Sequence, residues 1–224
     1  MKKYFVVLFL LLSFALNNNL YSQALSIGLK GGLNLSTMLE KSEFGEFSED
    51  YEYLPGYNIG LVVSTSASDG VGGESGIYLN TRGFKLDQGD DQNGVIGSFK
   101  TLWLEVPFKA TTALNAGPLT FFGSAGVSGS LGLTGTMDFD ITVQGNTTNT
   151  TMDVSWGNDP EEDDMLRFDY GAVVGAGVEF KSIVLEAGYY YGLANLSPDT
   201  DNEFVFSNRY FTFTLGYKFG LSPF

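Results

Sequence analysis

Cysteine and histidine are both missing from the 224 residues. Without cysteine there is no disulfide and no thiolate metal site. Without histidine the chain lacks the commonest general base and the commonest metal ligand, so Ser–His and Asp–His catalysis is excluded. Positive charge is scarce, with 12 Lys and Arg against 26 Asp and Glu and a formal net charge of −14. Phosphate binding needs a basic patch, so nucleic acid is not an expected partner. Beyond the first residues no apolar run is long enough for a membrane helix. Only helices and closed barrels satisfy the backbone in lipid, so any membrane spans here must be strands.

The start of the chain reads differently from the rest. Met1-Lys2-Lys3, an apolar run from Tyr4 to Leu16 and a small residue at Ser22 have the form of a secretory signal peptide. Cleavage is expected after Ser22, giving a signal peptide at 1–22 and a single domain at 23–224. Glycine is abundant (29 residues) without a collagen period, which suits tight turns and crowded interior positions of a sheet protein.

What is plentiful is alternation. In the last strand Phe211, Phe213, Leu215, Tyr217 and Phe219 share one parity, while Tyr210, Thr212, Thr214, Gly216 and Lys218 share the other. Side chains alternate across a strand, so one face is aromatic and aliphatic and the other polar or small. Seven earlier segments behave the same way, beginning near Leu25, Tyr57, Gly73, Thr101, Leu119, Arg167 and Ile183. Short turns are expected at Ser68-Asp69-Gly70, Asn115-Ala116-Gly117-Pro118 and Lys181-Ser182. Longer acidic connections are expected at about 36–55, 86–98, 135–166 and 195–207. Long and short connections alternate, as in an eight-stranded antiparallel up-and-down transmembrane β-barrel of the small outer-membrane type. That fold places both termini on the periplasmic side, in an outer membrane whose lipid is the first partner. A soluble lipocalin-like barrel is the alternative, and it would bury the aromatic face and expose the charged one.

Three groups of residues are candidates for function. By parity Lys30, Arg82, Lys109, Arg167 and Lys218 point into the lumen, as do Glu74, Glu105, Asp169, Glu179 and Glu186. In a barrel this narrow they are expected to pair and plug the interior, with Trp103, Phe122 and Tyr190 adding bulk. A charge-lined small channel is the other reading. The acidic run at 158–164 offers a weak calcium candidate in Asp159, Glu161 and Asp163, although its spacing is not that of an EF-hand. Phe44, Phe47, Tyr51, Tyr53, Trp156, Phe204 and Phe206 are loop aromatics, of which Tyr53, Trp156 and Phe204 are the candidates for a partner interface. They could equally pack under the loops or sit at the lipid interface. A Glu105–Glu179 pair could do acid–base work in principle, but only shared parity suggests it. No catalytic residue, cofactor or firm metal site is expected, and the protein is expected to be a monomer.

Several segments together resemble the PorT-like outer-membrane β-barrel family of Bacteroidetes. They are Gly28-Leu29-Lys30-Gly31-Gly32-Leu33-Asn34-Leu35-Ser36, Leu104-Glu105-Val106-Pro107-Phe108, Phe168-Asp169-Tyr170-Gly171 with Gly175-Ala176-Gly177-Val178-Glu179, Tyr191-Gly192-Leu193-Ala194-Asn195, and the closing Arg209 to Phe219. The resemblance implies an eight-stranded barrel exported by the general secretory route. It also implies outer-membrane insertion and an accessory role in secretion. The chain itself is expected to be a non-enzymatic, structural or accessory barrel of the cell envelope whose acidic loops contact an envelope or secretion-machinery protein. In this chain Gly220 to Phe224 extends past the aromatic strand end, so Phe219 or Phe224 could supply the terminal aromatic used in barrel assembly.

Overall fold

The computed structural model describes residues 24–42, 45–46, 51–66, 70–89, 93–199 and 204–221. The expected signal peptide, Phe44, Phe47 and Phe224 lie outside these residues. Ten strands are present: β1 (Ala24–Ser42), β2 (Gly45–Glu46), β3 (Tyr51–Ser66), β4 (Val71–Gly89), β5 (Asn93–Ala116), β6 (Leu119–Val143), β7 (Asn146–Asp153), β8 (Phe168–Phe180), β9 (Ile183–Gly192) and β10 (Val205–Leu221). Eight of them form a ring in which every neighbour is antiparallel: β1, β3, β4, β5, β6, β8, β9 and β10. The ring closes where β1 pairs with β10 from Leu25↔Leu221 to Lys41↔Val205, so among the described residues the eight-stranded ring itself has no free edge. The eight-stranded fold expected from the alternation is therefore the fold observed.

The outer wall is apolar because one parity of each strand is apolar. Leu29, Leu33, Leu61, Ile77, Val127, Val174, Leu185, Phe213 and Leu215 all stand exposed on it. Two aromatic bands border this wall. At the loop end Phe211 packs against Tyr189 (ring centroids 4.7 Å) and near Tyr53 (6.2 Å), and Arg209 lies 3.5 Å over the Tyr191 ring. At the turn end Tyr217 meets Phe219 edge-on. Rings in these positions suit the two interfaces of a bilayer.

The strands overrun the connections expected between them. A tilted strand needs about 9–11 residues to cross a bilayer. Only β8 (13 residues) and β9 (10 residues) stay near that length, whereas β5 and β6 have 24 and 25. The expected connection at 86–98 is largely strand, and the first part of the one at 135–166 is a β6–β7 hairpin. These stretches are polar, and in sequence a polar strand above the membrane looks like a loop. Ladder hydrogen bonds to the neighbouring strand, which pattern does not reveal, hold them extended.

One residue changes the wall. Leu102 pairs with Thr134 and Trp103 with Gly132, so Leu133 is an extra residue in β6. Such a bulge shifts the phase of every following side chain. Before it, even-numbered residues of β6 face inward (Ser124, Ser128 and Ser130, all buried); after it, Gly135 and Met137 do, while Asp138 and Asp140 face out.

Candidate functional site

The lumen is built in layers, each defined by which strand residue faces inward at a given height. Nearest the turn end, Lys218 on β10 bonds Glu179 on β8 at 2.8 Å, and both side chains are partly exposed. They line a vestibule of about 290 Å³ together with Ser26, Ser64, Thr120 and Phe122.

Above lies a closed ring of four charges. Lys30 of β1 reaches Glu74 of β4 and Glu186 of β9 at 2.6 Å each. Lys109 of β5 reaches the same two carboxylates at 2.7 and 2.9 Å. Each ammonium therefore touches two carboxylates and each carboxylate two ammoniums. Four strands spread around the barrel are tied together at one height. Gly216 is what lets the Lys30 stem lie flat, since a Cβ there would stand 2.8 Å from its Cγ.

A cavity of about 70 Å³ separates this ring from the next layer. There Arg82, wholly buried, donates from Nη1 to Asp169 (2.8 Å) and from Nη2 to Glu105, Ser130 (2.8 Å each) and the Tyr210 hydroxyl (3.1 Å). Its guanidinium carbon lies 5.1 Å from the Trp103 ring, and 4.8 Å from each of the mutually stacked Tyr190 and Tyr210 rings. Glu105 accepts further bonds from Asn80, Tyr210 and Ser128, and Asp169 accepts one from Asn208. A planar, permanently charged fork with aromatic faces against it is what arginine offers and lysine does not. Asn34 adds a polar chain beside it, donating to Asn80 and accepting from Asn58.

Toward the loop end the interior turns apolar. Met38, Phe99, Trp103, Val154, Met165, Ala194 and Leu196 form one buried cluster, with Phe84, Met137, Trp156 and Phe206 packed on it. The segment after β7 folds back over the mouth. Val154 N–H bonds Gly135 O (2.9 Å), Gly132 N–H bonds Arg167 O (2.8 Å), and Leu166 N–H bonds Leu196 O (2.8 Å). Trp156 lies edge-on to Trp103 at 5.2 Å, over Gly132, where any Cβ would collide with the indole.

Nine of the ten inward charges named from sequence fall into these layers. Arg167 does not: it precedes β8, is exposed, and lies 6.0 Å from the Trp156 ring. Parity continued past the end of a strand has no structural meaning, which is why that residue was misplaced. Glu105 and Glu179 sit in different layers, each with its own cation, so the structure does not bring them together. The weak calcium candidate lies in a tight turn. Asp163 accepts from the Asp159 N–H and the Ser155 hydroxyl, and Asp159 accepts from the Glu161 N–H. The turn's own donors thus hold the Asp159 and Asp163 carboxylates, and among the described residues no group of three or more His, Cys, Asp or Glu side chains is placed to hold a metal.

The three loop aromatics separate. Tyr53 belongs to the outer aromatic band, Trp156 seals the interior, and Phe204 stacks on Phe206 at 6.5 Å. The partners that complete the Arg82 site (Tyr210, Asn80, Ser128, Ser130, Asn208) carry no signal in sequence beyond the parity of their strands, which does not single them out from other inward residues.

Residues 14–197 match the sequence model of a family described as outer membrane protein beta-barrel domain. Among curated proteins no sequence matches the chain. Solved structures similar to it include Ail, the attachment invasion locus protein of Yersinia pestis, at 17% identity and TM-score 0.39, covering 88% of this chain and 99% of that one. Neisserial surface protein A is similar at 12% identity and TM-score 0.42, covering 88% and 97%. OprG from Pseudomonas aeruginosa is similar at 12% identity and TM-score 0.42, covering 89% and 98%.

Proposed function

The chain belongs to the outer membrane protein β-barrel domain family, and from that premise we propose that it is a non-catalytic envelope barrel with an occluded lumen, acting through its loop end. The observation that carries this reading is the stacking of the Lys30–Glu74–Lys109–Glu186 ring, the Arg82 cluster and the apolar cap within one interior. Each of the five inward carboxylates is already paired with a cation, including Glu74 and Glu179 beside the vestibule. The finer reading is a monomeric PorT-like accessory protein of a Bacteroidetes cell, assisting secretion, with both termini periplasmic. The quoted segments support it by resemblance, and the alternating connection lengths support the orientation.

Conductance tests the occluded lumen. Purified full-length protein in a planar bilayer is expected to give no steady current, and persistent ohmic steps altered by Arg82→Ala would replace this reading with a small channel. Unimpaired secretion in cells lacking the protein would remove the accessory role and leave the barrel reading intact.

A further inference from the structure

Among the described residues β7 pairs on one side only, with β6 over Asn146↔Val143 to Asp153↔Thr136. All eight of its residues are exposed. Natural proteins guard such edges with lysine, proline or bulges. Asn146-Thr147-Thr148-Asn149-Thr150-Thr151-Met152-Asp153 has none of these.

The connecting turn decides which backbone groups face outward. Gln144 and Gly145 have φ of 51° and 77°, as a two-residue type I′ hairpin requires. That turn makes Val143–Asn146 a hydrogen-bonded pair, so the amides and carbonyls of Thr147, Asn149 and Thr151 point away from β6. Side-chain contacts agree, since they occur at the close, non-hydrogen-bonded pairs. Thr142 meets Thr147 at 2.9 Å, Asn149 donates to Asp140 at 2.8 Å, and Thr151 donates to Asp138 at 2.7 Å.

The two faces beside this edge differ in chemistry. One carries Asp138, Asp140 and Asp153, all exposed, with Ile96, Lys85 and Lys100 lying on the β4 and β5 side, away from the edge. The other carries Ile141, Val143 and Met152, which are 42%, 57% and 47% exposed. An added strand would alternate its side chains over these same two faces.

We infer that the open edge of β7 docks an extended segment of a partner protein in which basic and apolar residues alternate. The main-chain bonds go to Thr147, Asn149 and Thr151. The basic residues lie over Asp138, Asp140 and Asp153, and the apolar residues continue Met152 and Ile141. This deepens the proposed role of the loop end by naming what it would hold.

The test uses full-length protein in lipid nanodiscs and a blocked peptide of about eight residues alternating Lys and Val, with a Glu–Val peptide as control. Amide hydrogen exchange at Thr147, Asn149 and Thr151 is the readout. Protection by the Lys peptide at or below about 1 mM supports the inference, as does loss of that protection in Asn149→Pro, whose N–H faces outward. Asp138→Asn with Asp140→Asn is expected to weaken binding about three- to tenfold. Equal protection by the Glu peptide overturns the charge assignment, no protection overturns the docking edge, and protection that rises with protein concentration alone makes a second copy the occupant instead. A closed lumen in the conductance assay is independent of all these outcomes, so failure here leaves the barrel reading standing.

Discussion

Below Leu133 the wall is apolar outside and charged inside; above it, the extension built on β4 to β7 is mostly polar and charged outside and apolar inside. Both regions are antiparallel sheet with the same two-residue period. The contrast is therefore one of phase and of surrounding medium. On β4 and β5 the inward residues themselves change, from Asn80 and Arg82 to Phe84 and Leu86, and from Glu105 to Phe99. On β6 the bulge absorbs Leu133 and so keeps Met137 inward and Asp138 outward, which an uninterrupted two-residue period would reverse. Lipid demands an apolar exterior and leaves charges no place but the lumen, whereas water outside the bilayer permits the arrangement of a soluble sheet.

The sharpest way to break the lower region is Arg82→Ala. It leaves Glu105 and Asp169 buried without their cation, and about 3 to 5 kcal/mol of stability is expected to go, read as a lowered urea midpoint in lipid. Adding Glu105→Gln and Asp169→Asn should recover part of that loss, because the penalty lies in unpaired charge more than in missing attraction.

Deleting Leu133 probes the boundary between the regions. Thr134 then follows Gly132, so the β5–β6 ladder runs on without a bulge, with Met137 still inward and Asp138 still outward. Hydrogen exchange in the β6–β7 hairpin is expected to stay close to that of the parent protein. Faster exchange confined to that hairpin would show that the bulge itself shapes the extension. Trp156→Ala uncovers Trp103 and is expected to cost about 2 to 3 kcal/mol, below the range for a fully buried tryptophan because Trp156 is only half-buried. Its signature is a red-shifted emission from Trp103, the one tryptophan that the variant keeps. Lys218→Ala removes a pair that is partly exposed at the vestibule, and a change within about 1 kcal/mol is expected by the same urea assay.

Most of the barrel was legible from parity alone: the eight strands, their outward residues and nine of the ten lumen charges. Legibility ended where parity lost its meaning. Arg167 lies beyond a strand end, and the polar stretches 86–98 and 135–143 have no apolar face toward lipid to mark them as strand. Tyr53, Trp156 and Phe204 look alike as aromatics in acidic surroundings, yet one faces the interface, one fills the mouth and one stacks on a neighbour.

By itself the sequence determined the medium and the closure. Apolar alternation in every barrel strand leaves lipid as the only solvent for the outer face, and an unpaired strand edge in lipid costs too much to persist. Tertiary structure alone decided which charges meet and where the phase turns over. Ion pairs such as Lys30–Glu186 join residues far apart in the chain, and their partnership depends on the relative stagger of strands around the ring. The bulge at Leu133 is likewise a property of the β5–β6 register, set by two strands together and carried by neither one's pattern.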